Sequence, residues 1–244
     1  MQRYDRRALV LDTSDSVLGT ASLALVSQGL DPLYACDPDE ALLLACEYRE
    51  RIAALVVPGA LPLASLDTVL ERIGPRLAIG SGAVLIVGPP RQRAHLVALR
   101  DRGVRWVVFE PYDAGELRFA VAAALASGDA LEPRRGLRVP IRLPVSVRHA
   151  QALHEGEIRN LSVGGAYLAL SDPPEVGASL LLEFPIGERL LRTSAQVVHR
   201  QQEAGGSRAE AGPGLGVAFA PLAPLEARLL EGFVRERVES FRIQ

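Results

Sequence analysis

Arg134-Arg135-Gly136-Leu137-Arg138-Val139-Pro140-Ile141-Arg142-Leu143-Pro144-Val145-Ser146-Val147-Arg148 changes the reading of this chain near its midpoint. The first five residues put three arginines around a glycine. The last eight alternate, with Ile141, Leu143, Val145 and Val147 on one side. Period two over that length is the pattern of a half-buried strand. Further short strands are expected at 157–161, 166–170, 179–184, 190–200 and 214–220, and a polar, Gly-rich hairpin loop at 205–214. Strands of this length and spacing imply an antiparallel barrel. An amphipathic helix over 222–241 follows, with Leu225, Leu229, Phe233 and Val238 expected on its buried stripe.

Inside the barrel text lies a second motif, Asn160-Leu161-Ser162-Val163-Gly164-Gly165. The planar guanidinium fork matches phosphate oxygens and can bridge the O6 and N7 acceptors of guanine. Arg134, Arg135 and Arg138 therefore suit a ligand that carries both groups. Asn160 offers an acceptor for a guanine N–H, and Ser162 a neutral donor for a phosphate oxygen. Gly164 and Gly165 can take positive φ and have no Cβ, so backbone and ligand can approach closely. Neither motif is specific alone in a chain whose 27 basic residues are all arginine. Their order and spacing within strand-like text carry the signal.

Together they resemble the RxxxR and [DN]xSxxG motifs of PilZ domains, receptors for the bacterial second messenger cyclic di-GMP. The resemblance covers about residues 132 to 240. It implies a small barrel followed by a helix, with the dinucleotide held by Arg134, Arg135, Arg138, Asn160, Ser162, Gly164 and Gly165. Asn160 stands where many relatives carry Asp, which loses the charge and keeps the acceptor. The resemblance also implies that ligand orders residues 132–140. Tyr167, after the turn, is expected to pack within its strand.

Upstream, apolar strands at 8–11, 32–35, 53–57, 83–87 and 105–109 alternate with helical patterns at 15–28, 63–73, 90–102 and 113–127. A further helix starts at Asp37-Pro38-Asp39-Glu40, which supplies a cap, an early proline and early acids. Five such alternations imply a parallel sheet covered on both faces. This half resembles the receiver domain of response regulators, with its flavodoxin-like topology. The resemblance places the phosphoacceptor position on Pro58, four residues before Pro62. Asp12 precedes Thr13 where receivers carry paired acids. Gly88 stands where a Ser or Thr is needed, and Glu110 stands before Pro111 where a Lys is needed. Proline has no carboxylate nucleophile. A magnesium site would lose its acids. The expectation is a degenerate receiver that is not phosphorylated by the usual route. Receivers commonly pair through the fourth helix, fifth strand and fifth helix, here parts of 90–102, 105–109 and 113–127. Homodimerisation or partner docking there follows as an expectation. A dinucleotide-binding glycine fingerprint is missing after the first strand, which reads Asp12-Thr13-Ser14-Asp15.

The 244 residues suffice for two domains, and the 48% hydrophobic content supplies a core for each. Expected boundaries are 1–128 for the receiver-like domain, 129–140 for linker and arginine loop, and 141–244 for the PilZ-like barrel with its helix. A net charge of −2 argues against a general nucleic-acid binder. No apolar run reaches spanning length, and the start is not a signal-peptide pattern, so a cytoplasmic address is expected. Cys36 and Cys46 are too few for a disulfide framework and are expected as buried reduced thiols. His95, His149, His154 and His199 show no metal-ligand spacing, and His149 and His154 are expected to face solvent. Trp106 is expected in the core or at a domain interface. The two resemblances together imply a non-enzymatic signalling protein with cyclic di-GMP as ligand, no cofactor, and an unidentified downstream protein partner. A ligand-independent adaptor working through the receiver-like domain is the alternative.

Overall fold

The computed structural model describes residues 6–12, 19–48, 51–74, 83–126, 138–201 and 214–243. The chain forms two compact units. One comprises Met1–Leu131 together with Glu239–Gln244, and the other Glu132–Val238.

The first unit runs β1 (Arg6–Leu11), α1 (Gly19–Ser27), β2 (Leu30–Ala35), α2 (Pro38–Tyr48), β3 (Ile52–Pro58), α3 (Leu63–Ile73), β4 (Val84–Gly88), α4 (Arg93–Asp101), β5 (Trp106–Phe109) and α5 (Ala114–Ala126). Its sheet has the order β2-β1-β3-β4-β5, with every pair parallel. The order reverses between β1 and β3, which is the flavodoxin-like, doubly wound, receiver-like arrangement. β3 and β4 are buried at every position, as a parallel sheet covered on both faces requires. One core contains Leu9, Leu55, Val57 and Ile86 with Leu66 and Val69 of α3 and Leu99 of α4.

α2 starts as its sequence dictates. Asp37 Oδ1 accepts from the backbone N–H groups of Asp39 and Glu40, both at 2.8 Å. Glu40 reaches back to accept from Cys36 N at 2.8 Å. This reciprocal cap satisfies amides that have no helical partner. The thiols differ from expectation, since Cys36 and Cys46 are both exposed. For Cys46 the reason is that α2 turns Ala41 and Ala45 inward, so alanines spaced four apart occupy its core face, while Cys36 lies in the connection between β2 and α2. Trp106 is fully buried, as expected of a core residue.

The tail groups with this first unit. Val107 N donates to Phe241 O, and Ile243 N donates to Arg105 O, both at 3.0 Å. Arg242 lies opposite Trp106 in an antiparallel bridge. The Phe241 ring is 4.9 Å from that of Phe119 on α5. Ile243 joins the core cluster that contains Leu99, Val104 and Val107. Residues 241–243 thus lie along β5 through a single antiparallel bridge.

The second unit is a closed antiparallel barrel of order β10-β11-β8-β7-β6-β9. Its strands are β6 (Val139–His149), β7 (Ala152–Ser162), β8 (Gly165–Ala169), β9 (Ser179–Ile186), β10 (Arg189–Gln201) and β11 (Gly214–Phe219). Closure removes free edges. Alternation fills the interior, with Val145 and Val147 from β6 and Leu180, Leu182 and Phe184 from β9 all buried. His149 and His154 are half-buried, not fully exposed. α6 (Pro224–Glu239) ends the unit. Its buried stripe is Leu230, Val234 and Val238. Leu225 is exposed, and Leu229 and Phe233 are only half-buried, which corrects the expected stripe. The sequence has apolar residues at both 229 and 230, and the buried face is the one that carries Leu230. The expected loops at 132–137 and 205–213 lie outside the described residues.

Candidate functional site

Four of the motif residues lie on the β7–β8 hairpin. Asn160 pairs with Pro140 of β6 on one side and Tyr167 of β8 on the other. Ser162 pairs with Gly165 across a turn formed by Val163 and Gly164. Arg138 is exposed and immediately precedes β6, two residues before the proline that faces Asn160. Arg138 thus lies two residues along the chain from the cross-strand partner of Asn160. Arg134 and Arg135 fall outside the described residues.

A β-bulge sets the aim of Asn160. Both registers of β7 shift between Ile158 and Asn160, leaving Arg159 as the extra residue against β8. Without the shift, alternation would put Ile158 and Leu161 on opposite faces. Both are fully buried although three residues apart. A bulge is a common way to re-aim a side chain beside a functional site. The signal for it was present in the sequence as the odd spacing of two large aliphatics. Arg159 itself escaped the sequence reading. Its Nη2 lies 2.9 Å from Glu157 Oε2, and its Nε is buried without a partner.

Asn160 Oδ1 is buried and accepts no hydrogen bond. An unmet buried acceptor costs about 1–3 kcal/mol unless a donor reaches it. Ser162 is 4% exposed, and its hydroxyl donates to Gly165 O at 3.0 Å. That bond closes the hairpin, so the hydroxyl hydrogen is engaged within the chain. Gly165 is needed for a different reason from the one expected. Its φ is outside the left-handed range, and a Cβ there would lie 2.1 Å from Val217 O of β11. The glycine admits the neighbouring strand. Gly164 is exposed, and its carbonyl accepts from Phe219 N at 2.9 Å. Tyr167 is 8% exposed and packs within the barrel, where burial pushes its phenol pKa up. On the other side of the site, Arg237 of α6 donates through Nε to Pro140 O at 3.0 Å. This anchors the helix to the strand that follows Arg138.

The N-terminal sheet brings its own motif positions together at the carboxyl ends of its strands. Pro58 ends β3 and pairs with Val87. Gly59 N donates to Val87 O at 2.6 Å, and Glu110 N donates to Gly88 O at 2.9 Å. Gly88 has φ of 150°, and a Cβ on it would meet Gly59 N at 3.1 Å. The Gly59 and Gly88 backbones approach closely here, and only glycine fits at 88 without strain.

The two units are a receiver-like α/β domain and a small antiparallel barrel whose hairpin carries an unsatisfied acceptor beside an arginine. Residues 132–236 match the family model of the PilZ domain, and the C-terminal half of the chain carries a PilZ domain. Among solved structures, the chain is similar to the inhibitor of motility (MotI/DgrA) of Bacillus subtilis. The identity is 20% over 44% of this chain and 53% of that one, with a TM-score of 0.38. It is similar to YcgR of Escherichia coli in complex with c-di-GMP, at 18% identity over 44% and 46%, with a TM-score of 0.37. The chain spans about half the length of each of these two. It is also similar to the chemotaxis protein CheY4 of Vibrio cholerae, at 17% identity over 45% and 89%, with a TM-score of 0.37. No curated protein matches it by sequence. Among the described residues, no helix is long and apolar enough to cross a membrane.

Proposed function

We propose that this chain is a non-enzymatic, cytoplasmic receptor for cyclic di-GMP that converts ligand binding into altered protein contacts. The observation that carries this reading is Asn160 Oδ1, a buried acceptor without a partner on the strand beside Arg138. A guanine N–H supplies the missing donor. Arg138, with Arg134 and Arg135 from the preceding segment, supplies guanidinium forks for phosphate and for the O6 and N7 edge. Ser162, Gly164 and Gly165 hold the hairpin that presents Asn160. The hydroxyl of Ser162 acts by closing the turn, and its lone pairs are left for a ligand donor.

The receiver-like unit does not accept a phosphoryl group in this reading. Pro58 supplies no nucleophile, and Gly59 and Gly88 beside it carry no side chain that could replace one. Incubation with acetyl phosphate and magnesium leaves the intact mass unchanged. A mass increase of one phosphoryl group refutes this half of the proposal.

Calorimetric titration tests the other half. Cyclic di-GMP binds the wild-type chain with micromolar or tighter affinity. Arg138→Ala abolishes the heat, and Asn160→Leu weakens binding about 10- to 100-fold, the value of a hydrogen bond to a charged or buried partner. Absence of binding to the wild type leaves an adaptor that works through protein contacts alone.

A further inference from the structure

β7 turns an arginine to the same side as Asn160. Ile158 and Leu161 are fully buried inside the barrel. Alternation from each of them turns Glu157 and Asn160 to the outer face. Arg159 is the extra residue of the bulge against β8. Its guanidinium is on the outer face as well, because Nη2 lies 2.9 Å from Glu157 Oε2. Arg159 and Asn160 are thus consecutive residues that share one face, which strict alternation forbids and a bulge permits.

Each of the two holds one unmet polar atom, and the two atoms are of opposite kind. Arg159 Nε is a buried donor without an acceptor, and Asn160 Oδ1 is a buried acceptor without a donor. Pro140, across from Asn160 on β6, has no side-chain polar group to offer either atom. Glu157 engages one corner of the guanidinium, which carries several further N–H donors. The Arg159 and Glu157 side chains are 35% and 32% exposed, so the fork is reachable from outside the barrel. Around a guanine the groups run N7, O6, N1–H, two acceptors and then a donor. A guanidinium bridges N7 and O6, and an oxygen beside it accepts from N1–H. Adenine runs N7, N6–H, N1, and so aims a donor at the guanidinium and an acceptor at the oxygen. Consecutive Cα atoms lie about 3.8 Å apart, so two adjacent outward side chains can serve one base edge.

We propose that Arg159 selects guanine, its fork taking O6 and N7 of the base whose N1–H is accepted by Asn160; this rests on the reading of the barrel as a dinucleotide receptor. The ion pair with Glu157 holds the fork in place on the outer face. The bulge is what turns neighbours in sequence into partners on one base. Arg134, Arg135 and Arg138 are left for the phosphates and the second guanine.

The test is calorimetric titration of cyclic di-GMP and of cyclic di-AMP into the full wild-type chain, Arg159→Gln and Arg159→Lys. The two ligands share phosphates and sugars and differ in their bases alone. The wild type prefers cyclic di-GMP by about 10- to 100-fold, the discrimination of one bidentate contact to a base. Arg159→Gln lowers the affinity for cyclic di-GMP by about that factor and leaves the affinity for cyclic di-AMP within about twofold, so the preference disappears. Arg159→Lys keeps the charge without the fork and does not restore it. The urea midpoint of the barrel is the same in all three chains. A preference that survives Arg159→Gln overturns the proposal and leaves the receptor standing, since the base is then read elsewhere. Equal loss for both ligands with a lowered urea midpoint also overturns it, because the residue then shapes the hairpin. A lysine that restores the preference overturns it too, because a point charge then suffices. A wild type that binds neither ligand overturns the receptor reading and this proposal with it.

Discussion

At the scale of single residues, one glycine separates what a motif says from what a fold needs. Gly165 belongs to the NxSxxG pattern, and the pattern suggests a close approach of ligand. The structure instead places Val217 O 2.1 Å from where its Cβ would be. Gly165→Ala therefore forces two backbones apart. It should cost upwards of about 3 kcal/mol, the top of the usual range for overpacking, read as a lowered urea midpoint. Gly232→Ala on α6 is the control, because nothing lies within 4 Å of its added Cβ. That change should stabilise the chain by up to about 1 kcal/mol through helix propensity. A large loss at Gly232, or none at Gly165, would refute the assignment. The identity of Asn160 as an acceptor was legible from its type alone. Its burial was not, because the bulge at Arg159 depends on two neighbouring strands. Cys46 was misread because which side of α2 turns inward is set by packing: Ala41 and Ala45 are buried, and Leu43 is 71% exposed.

At the scale of elements, the strands and helices themselves were legible, down to α3 at Leu63–Ile73 and the start of β9 at Ser179. Period and capping are local properties, so the sequence carries them. Which face of α6 turns inward is set by tertiary packing, and the expected stripe was displaced by one residue, from Leu229 to Leu230. Leu230→Ala should cost about 2–5 kcal/mol, since it empties a fully buried position. Leu225→Ala should change stability by less than about 0.5 kcal/mol, as expected for a side chain that is 62% exposed. Equal losses would restore the original stripe. A second element-level consequence concerns α3 and α4. Arg102 forms a two-pronged bond to Asp67, with Nη2 2.8 Å from Oδ2, and holds that carboxyl below its ordinary range. His95 on the same helix is pushed down by burial, then by Arg91 and Arg102. Both groups bind protons more readily in the unfolded chain. The stability they contribute is whole above their ordinary pKa values, 6.5 for His95 and 3.8 for Asp67, and is lost as pH falls below each. The urea midpoint of the first unit should drop between pH 7.5 and pH 5.5, and His95→Gln should flatten that drop. An unchanged slope in the variant would assign the effect to other groups.

At the scale of the whole molecule, two units with separate cores need not melt together, so one midpoint does not describe the chain. Cyclic di-GMP bound only by the native barrel stabilises that unit alone. At a hundredfold excess over Kd the gain is about 2.7 kcal/mol, a shift on the order of 10 °C for a domain of this size. Calorimetry should show the barrel transition move while the receiver-like transition stays. Movement of both by the same amount would show that the units unfold as one. The sequence announced two folds side by side. It did not announce that the last residues return to the first, because three residues form too short a segment to leave a periodic trace. That return has a practical side. In order along the chain, the barrel is an insert between the body of the receiver-like unit and Glu239–Gln244, which group with that unit. A gene cut at the obvious junction yields two fragments, neither of them whole. The front piece should be sticky along β5 and poorly soluble. The back piece should carry an apolar Phe241-Arg242-Ile243 end with nothing to rest on, and a purification tag fused there would weigh on the wrong domain.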